Sequence, residues 1–286
     1  MKAPPFAYLR AERLGDVFEA FAAHGEEAQI LAGGQSLMPS LNMRLSRPQV
    51  LVDINRIAGL GGIGLEGEAV RIGALARHVE VERSDIIAER LPLIAEAIGH
   101  VAHPAIRSRG TFGGSLALAD PAGELPACAL AYEADIVLEG QGGRRAIAAD
   151  EYFRGIYETA RAPDEILVGV SLPVPDPGER CCFIEFARRH GDFALVGVAA
   201  RATVEAGEVK SLRLVVFGSE PRPTLARQAA AAATGHAVDA LPHDKIAEAL
   251  TGELDPMADL QGGRDFKFHL ARTLVRRALE RIGGAA

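Results

Sequence analysis

Two stretches carry residue types suited to holding an anion. Leu31-Ala32-Gly33-Gly34-Gln35-Ser36-Leu37 and Thr111-Phe112-Gly113-Gly114-Ser115-Leu116 each join a glycine pair to a hydroxyl side chain and then enter an apolar residue. A backbone without side chains lets its amide N–H groups close on a phosphate oxygen. One Gly-Gly pair alone more often marks a tight turn. Two such stretches, each beside an apolar run, read as two loops walling one diphosphate site, and they point to a nucleotide cofactor.

The elements around those loops must place them. Leu14, Val17, Phe18 and Phe21 fall at the i, i+3, i+4, i+7 spacing of an amphipathic helix, with Gly25 just past its end. Gln29-Ile30-Leu31 reads as a strand emptying into the first glycine loop. Pro39 suits the first turn of a helix reaching about Leu45, and Val50 to Ile54 reads as a buried strand. Residues 1–56 thus form a small α/β subdomain of strand–helix–strand–helix–strand type. Glycines between Leu60 and Ala74 predict a hairpin in a second sheet, and Pro92 opens a helix to about Val101.

After the second glycine loop come a short helix past Pro126 to Tyr132, a hairpin turning at Gln141-Gly142-Gly143, and a strand from Glu165 to Val170. Leu172-Pro173-Val174-Pro175-Asp176-Pro177-Gly178 is rich in proline and marks a boundary. Beyond it, 181–189, 194–205 and 209–217 read as three strands of a meander, and 225–233, 245–250 and 266–282 as helices. The expected organisation is a domain over 1–175, with subdomains 1–56 and 57–175, and a second domain over 179–286.

The 286 residues are 48% hydrophobic, enough for a substantial core, and the net charge of −7 with no concentrated basic face argues against a nucleic-acid partner. Cys128, Cys181 and Cys182 include no C-x-x-C pair, too few ligands for zinc or an iron–sulfur cluster, so no metal site is expected on this chain. Adjacent Cys181 and Cys182 alternate faces on a strand, which disfavours a mutual bridge and suits a reducing compartment. No run has the roughly 18 apolar residues of a membrane span. His100 and His103, at i, i+3 without an acidic partner, read as incidental.

Taken in order, Ala32-Gly33-Gly34-Gln35-Ser36-Leu37-Met38-Pro39, Arg107-Ser108-Arg109-Gly110-Thr111-Phe112-Gly113-Gly114-Ser115 and Asp120-Pro121-Ala122-Gly123-Glu124-Leu125-Pro126 resemble the flavin signatures of the FAD-binding medium subunit of molybdenum hydroxylases. That family includes the medium chain of carbon monoxide dehydrogenase and the FAD subunit of xanthine dehydrogenase. Ala160-Arg161-Ala162-Pro163-Asp164-Glu165 and Glu185-Phe186-Ala187-Arg188-Arg189-His190-Gly191-Asp192-Phe193 extend the likeness, which runs nearly end to end.

The resemblance implies an α+β fold: a two-subdomain FAD domain of the vanillyl-alcohol-oxidase type, then a three-stranded antiparallel sheet with helices. It implies a subunit that takes electrons from [2Fe–2S] clusters on a small subunit and passes them to an external acceptor. Substrate is oxidised at a molybdopterin centre on a large subunit, the whole forming a cytoplasmic dimer of heterotrimers. The FAD is expected to be non-covalent. Leu31, Ala32, Gly33, Gly34, Gln35, Ser36 and Leu37, with Thr111, Gly113, Gly114 and Ser115, would hold its diphosphate through amides and hydroxyls. Asp120 or, by preference, Glu124 would accept hydrogen bonds from ribityl or ribose hydroxyls. Val101 is also expected to bind the cofactor, Leu167 to pack on the flavin or adenine, and Phe193 to lie near the flavin ring. Arg107 and Arg109 would offset the diphosphate charge or face a partner. Gln35 stands where carbon monoxide dehydrogenase medium chains tend to have histidine, which leaves room for hydroxylases of N-heterocycles. The competing expectations are a self-contained flavin oxidoreductase and an assembly protein that keeps the fold without the cofactor.

Overall fold

The computed structural model describes residues 2–284. Its first unit is β1 (Ala7–Arg10), α1 (Leu14–His24), β2 (Ala28–Leu31), α2 (Leu37–Asn42) and β3 (Val50–Asp53). The three strands are parallel in the order β1-β3-β2, so β3 is central and Val50, Leu51 and Val52 are buried. α1 buries Val17, Ala20 and Phe21 and stops at Gly25, whose φ of 54° favours glycine. α2 ends before Leu45, because Arg44 enters the left-handed region at φ 60° and breaks the helical path.

The second unit is built on β4 (Ile63–Glu66), β5 (Ala69–Gly73), α3 (His78–Glu82), α4 (Asp85–Arg90), α5 (Pro92–Ile98), α6 (Pro104–Arg107), α7 (Phe112–Leu118) and α8 (Glu124–Ala131). It continues through β6 (Asp135–Gly140), β7 (Gly143–Ala148), α9 (Ala149–Tyr152), β8 (Phe153–Gly155), β9 (Glu158–Thr159) and β10 (Ile166–Pro173). An antiparallel sheet in the order β4-β5-β10-β6-β7 covers these helices. Ile166 and Val168 of β10 leave that core and pack with the first unit, so the alternation of one strand joins two cores. α8 starts at Glu124 rather than after Pro126, since proline is tolerated in a first helical turn.

The third unit is β11 (Glu179–Phe186), β12 (Val196–Glu205), β13 (Glu208–Phe217), β14 (Thr224–Leu225), α10 (Arg227–Ala233), α11 (His243–Glu253) and α12 (Arg264–Gly283). The expected three-stranded meander gains a short fourth strand, because Thr224 and Leu225 pair with Val216 and Val215, which delays α10 to Arg227. The sheet is apolar on both faces. Cys181, Phe183, Ala199, Val215 and Phe217 face the second unit, whereas Cys182, Val198, Ala200, Leu214 and Val216 face α10, α11 and α12. The three cysteines are free. Among the described residues no helix is long and apolar enough to cross a membrane.

One position shows how closely the sheet packs. Gly197 pairs across β12 and β13 with Phe217, and a Cβ on Gly197 would stand 2.1 Å from the Phe217 ring. Gly197→Ala is therefore expected to overpack the sheet and cost about 1–3 kcal/mol. Chemical denaturation should show the loss, and an unchanged midpoint would contradict this packing.

Candidate functional site

The first glycine loop leaves the carboxyl end of β2, beside the carboxyl end of the parallel strand β3, where ligand crevices form in parallel sheets. Gly34 turns it with φ 72°. Among the described residues, the N–H groups of Gly33, Gly34, Gln35, Ser36 and Leu37 have no hydrogen-bond acceptor, while the Gln35 side chain donates to Gly33 O at 3.1 Å and steadies the turn. Gly33 presses on the segment before the second motif: its Cβ would meet Arg109 O at 2.4 Å and Gly110 Cα at 2.9 Å. The two motifs thus touch. Between them opens a cleft of about 390 Å³, lined by Leu31 to Gln35, Met38, Asp53, Asn55, Ile106 and the exposed side chain of Arg109.

The second motif is organised differently from the expected loop. Phe112–Leu118 is helix α7, capped by Thr111, whose Oγ1 accepts from Gly114 N at 3.1 Å. Phe112 N donates to Ala76 O, Gly113 N to Ala74 O and Ser115 N to Thr111 O, at 2.9, 3.0 and 3.1 Å. These amides are committed within the chain, which corrects the expectation that they cradle phosphate. The physical reason for Gly113 is close approach, since its Cβ would lie 2.6 Å from Ala74 Cα. What the motif retains for a ligand is hydroxyls. Ser115 Oγ lies 3.1 Å from Nε2 of the buried His78. Burial, with the Arg107 and Arg77 cations nearby, pushes the His78 pKa down to about 4, so the ring is neutral at pH 7.

Arg107 is not available to a ligand. It is buried, its guanidinium grips both oxygens of Glu82 at 3.0 Å, and Nη1 donates to Val101 O and Ala102 O at 3.1 Å. This corrects the pairing of Arg107 with Arg109; only Arg109 reaches the cleft. Val101 and Leu167 are buried in the core of the second unit. Asp120 Oδ1 accepts from Ala122 N at 2.9 Å, and its Oδ2 accepts from Tyr157, an exposed residue held at φ 55°. Phe193 is 66% exposed, on the connection from β11 to β12. That connection bends over 100–103: a Cβ on Gly191 would meet the His103 ring at 2.7 Å, and His190 stacks on His100 at 6.1 Å.

Glu124 departs from a simple acceptor. It is buried at the start of α8, and burial, with Glu185 and Asp120 adding negative charge, pushes its pKa up to about 8. A neutral carboxyl donates as well as accepts. Nearby, His100 Nδ1 lies 3.2 Å from Glu185 Oε1, and that hydrogen bond pushes the imidazole's pKa up. Sequence reasoning missed Asp53, Asn55 and Arg77. The available signal for the first two was that Val50 to Ile54, read as a strand of the same α/β unit as Gln29 to Leu31, ends on the same edge.

Glu124 and His78 set opposite pH slopes. The folded value of Glu124 lies above its ordinary 4.5, so its contribution to stability is full below 4.5 and is lost as pH rises through about 8. The folded value of His78 lies below its ordinary 6.5, so its contribution is full above 6.5 and is lost as pH falls through about 4. Between pH 6.5 and 8 only the Glu124 slope remains of the two. The thermal midpoint of the chain should fall across that window, and Glu124→Gln should flatten the fall. An unaltered slope in the variant, read by calorimetry, would contradict a buried neutral carboxyl.

Unpaired N–H groups on a loop whose Gly33, Gly34 and Gln35 line the cleft, with Arg109 on the same cleft, form a donor set that fits a diphosphate, with hydroxyl partners at hand for the rest of a dinucleotide. Comparison with known proteins agrees. Residues 4–175 match the model of the FAD binding domain in molybdopterin dehydrogenase, and residues 182–282 match the CO dehydrogenase flavoprotein C-terminal domain. The chain is 38% identical to the 6-hydroxypseudooxynicotine dehydrogenase complex subunit alpha of Paenarthrobacter nicotinovorans, over 98% of this chain and 95% of that one. It is 34% identical to the carbon monoxide dehydrogenase medium chain of Hydrogenophaga pseudoflava, over 96% of each. A solved carbon monoxide dehydrogenase from that organism, lacking the Mo-pyranopterin moiety, superposes with a TM-score of 0.96 at 36% identity, covering 100% of both chains. The cleft between the two glycine motifs thus lies in a chain that belongs to the family of FAD-binding subunits of molybdopterin dehydrogenases.

Proposed function

We propose that this chain is the flavin-bearing electron-transfer subunit of a heteromeric molybdenum hydroxylase. The observation that carries the reading is the first loop: among the described residues the N–H groups of Gly33 to Leu37 have no acceptor, and Gly33, Gly34 and Gln35 line a cleft shared with the exposed Arg109. A bound flavin accepts electrons singly and delivers them in pairs, which suits a station between one-electron clusters and a two-electron acceptor. The chain's own residues bind and orient it.

In this reading Ala32 to Leu37 hold the diphosphate through backbone N–H groups, and Arg109 neutralises part of its charge. Thr111 and Ser115 supply hydroxyls, and the neutral ring of His78 orients the Ser115 hydroxyl. Asp120 and Glu124 serve sugar or ribityl hydroxyls, Glu124 by donating as well as accepting. Phe193, on a connection that bends over 100–103, covers a ring, and Val101 and Leu167 back the pocket from the core. Residues 1–175 then act as the FAD domain, divided near 56, and 179–286 as a cover that carries Phe193. The partners are a small [2Fe–2S] subunit and a large molybdopterin subunit, arranged as a dimer of heterotrimers in the reducing cytoplasm, where three free thiols are at ease. The large subunit chooses the substrate.

The test is spectroscopic. The chain purified with its partners should show flavin absorbance and release intact FAD on acid precipitation. Gly33→Val, whose side chain would collide with Arg109 O, should yield a folded but colourless chain. A colourless wild-type complex that refuses added FAD would overturn the proposal.

A further inference from the structure

Four side chains outside both glycine motifs form one continuous hydrogen-bonded path across the junction of the first two units. Tyr8 Oη donates to Asp53 Oδ2 at 2.5 Å. Asp53 Oδ1 accepts from Asn55 N at 2.9 Å and from Asn55 Nδ2 at 2.7 Å. Asn55 Nδ2 donates its second hydrogen to Ala32 O at 2.9 Å, and Asn55 Oδ1 accepts from Arg77 Nη2 at 2.5 Å. Arg77 Nη1 then donates to Arg109 O. The amide of Asn55 satisfies all its neighbours in one orientation only. Exchanging its oxygen and nitrogen would set an oxygen against two acceptors and an NH2 against a guanidinium.

The two carbonyls at the ends of this path are significant. Ala32 O immediately precedes Gly33, and Arg109 O is the atom that Gly33 abuts. Steric contact at Gly33 limits how near the two segments come, but repulsion alone does not keep them together. Packing of Ile166 and Val168 joins the units at their cores, and the path adds attraction at the loop itself. It anchors on the first unit through Asp53 at the end of β3 and on the second through Arg77 at the start of α3.

We infer that Asn55 and Arg77 are positioning residues: a staple that holds the first glycine loop against Arg109 and so fixes the direction of the loop's unpaired N–H groups toward a diphosphate. The inference rests on the reading of the cleft as a diphosphate site. The staple acts through Ala32 and Arg109, by making their carbonyls a fixed pair. Loss of one arm frees the two carbonyls from each other, and the expected change in affinity is roughly tenfold.

Dissociation constants of the full chain for FAD and for ADP, which keeps the diphosphate and lacks the flavin, test this. The variants are Asn55→Leu, Arg77→Met, Arg77→Lys and the double Asn55→Leu/Arg77→Met. The staple predicts that each single change weakens FAD about tenfold and ADP by the same factor, and that the double variant is no weaker than either single. Arg77→Lys, which keeps the charge without the two-pronged reach, should be as weak as Arg77→Met. Wild-type affinities in the singles, additive losses in the double, or full recovery with lysine would each overturn the staple. Should Arg77→Met fail to fold, Asn55→Leu, at an exposed position, with Arg77→Lys carries the comparison. A wild-type chain that binds neither FAD nor ADP would instead overturn the underlying reading of the cleft.

Discussion

The arrangement of the site depends on one backbone contact, that of Gly33 against Arg109 and Gly110. A side chain at position 33 would have to occupy space already filled by a carbonyl oxygen 2.4 Å from its Cβ. With hydrogen there, a loop from a parallel three-stranded unit and a segment from an antiparallel five-stranded unit share one boundary, and the cleft lies along it. Moving the two units apart would separate Arg109 from the amides it complements. The site is thus a property of the junction, and neither sheet contains it alone.

Buried ionisable groups hold the surroundings in fixed charge states. Arg107, gripped by Glu82 and by two carbonyls, ties α6 to α3 just before the second motif. Its charge helps keep His78 neutral, and His78 lies beside Ser115. On the far side, Glu124, His100 and Glu185 form a seam between the second and third units, with the Glu185 side chain covered and one of its oxygens unpartnered among the described residues. Such groups tolerate little rearrangement, because a buried charge or dipole that loses its partner costs several kcal/mol. Rigidity of this kind suits a subunit that must hold a cofactor at constant distance from its neighbours.

Much of this was legible in the sequence because the periodicities are strong. α1, β2, β3, β10 and the long strands of the third unit followed from apolar spacing, and the first loop followed from its glycines. The second motif was misread as a loop, since a Gly-Gly pair in a helical turn is disfavoured by propensity; Ala74 packing against Gly113 and the Thr111 cap outweigh that preference. The fate of Arg107 was hidden because its partner Glu82 lies 25 residues away on another helix, a pairing no local pattern encodes. Asn55 and Arg77 were hidden for the same reason, as their partners come from segments joined only in three dimensions.

The central claim is that the unpaired amides of the first loop, and not the committed amides of the second motif, take the diphosphate. Backbone amide resonances of the isotope-labelled chain, recorded with and without FAD, test it most directly. The account predicts large shifts and slowed exchange at Gly33, Gly34, Gln35 and Ser36, with Phe112, Gly113 and Gly114 keeping their internal bonds. Slowed exchange confined to 112–114, with the first loop unmoved, would contradict it.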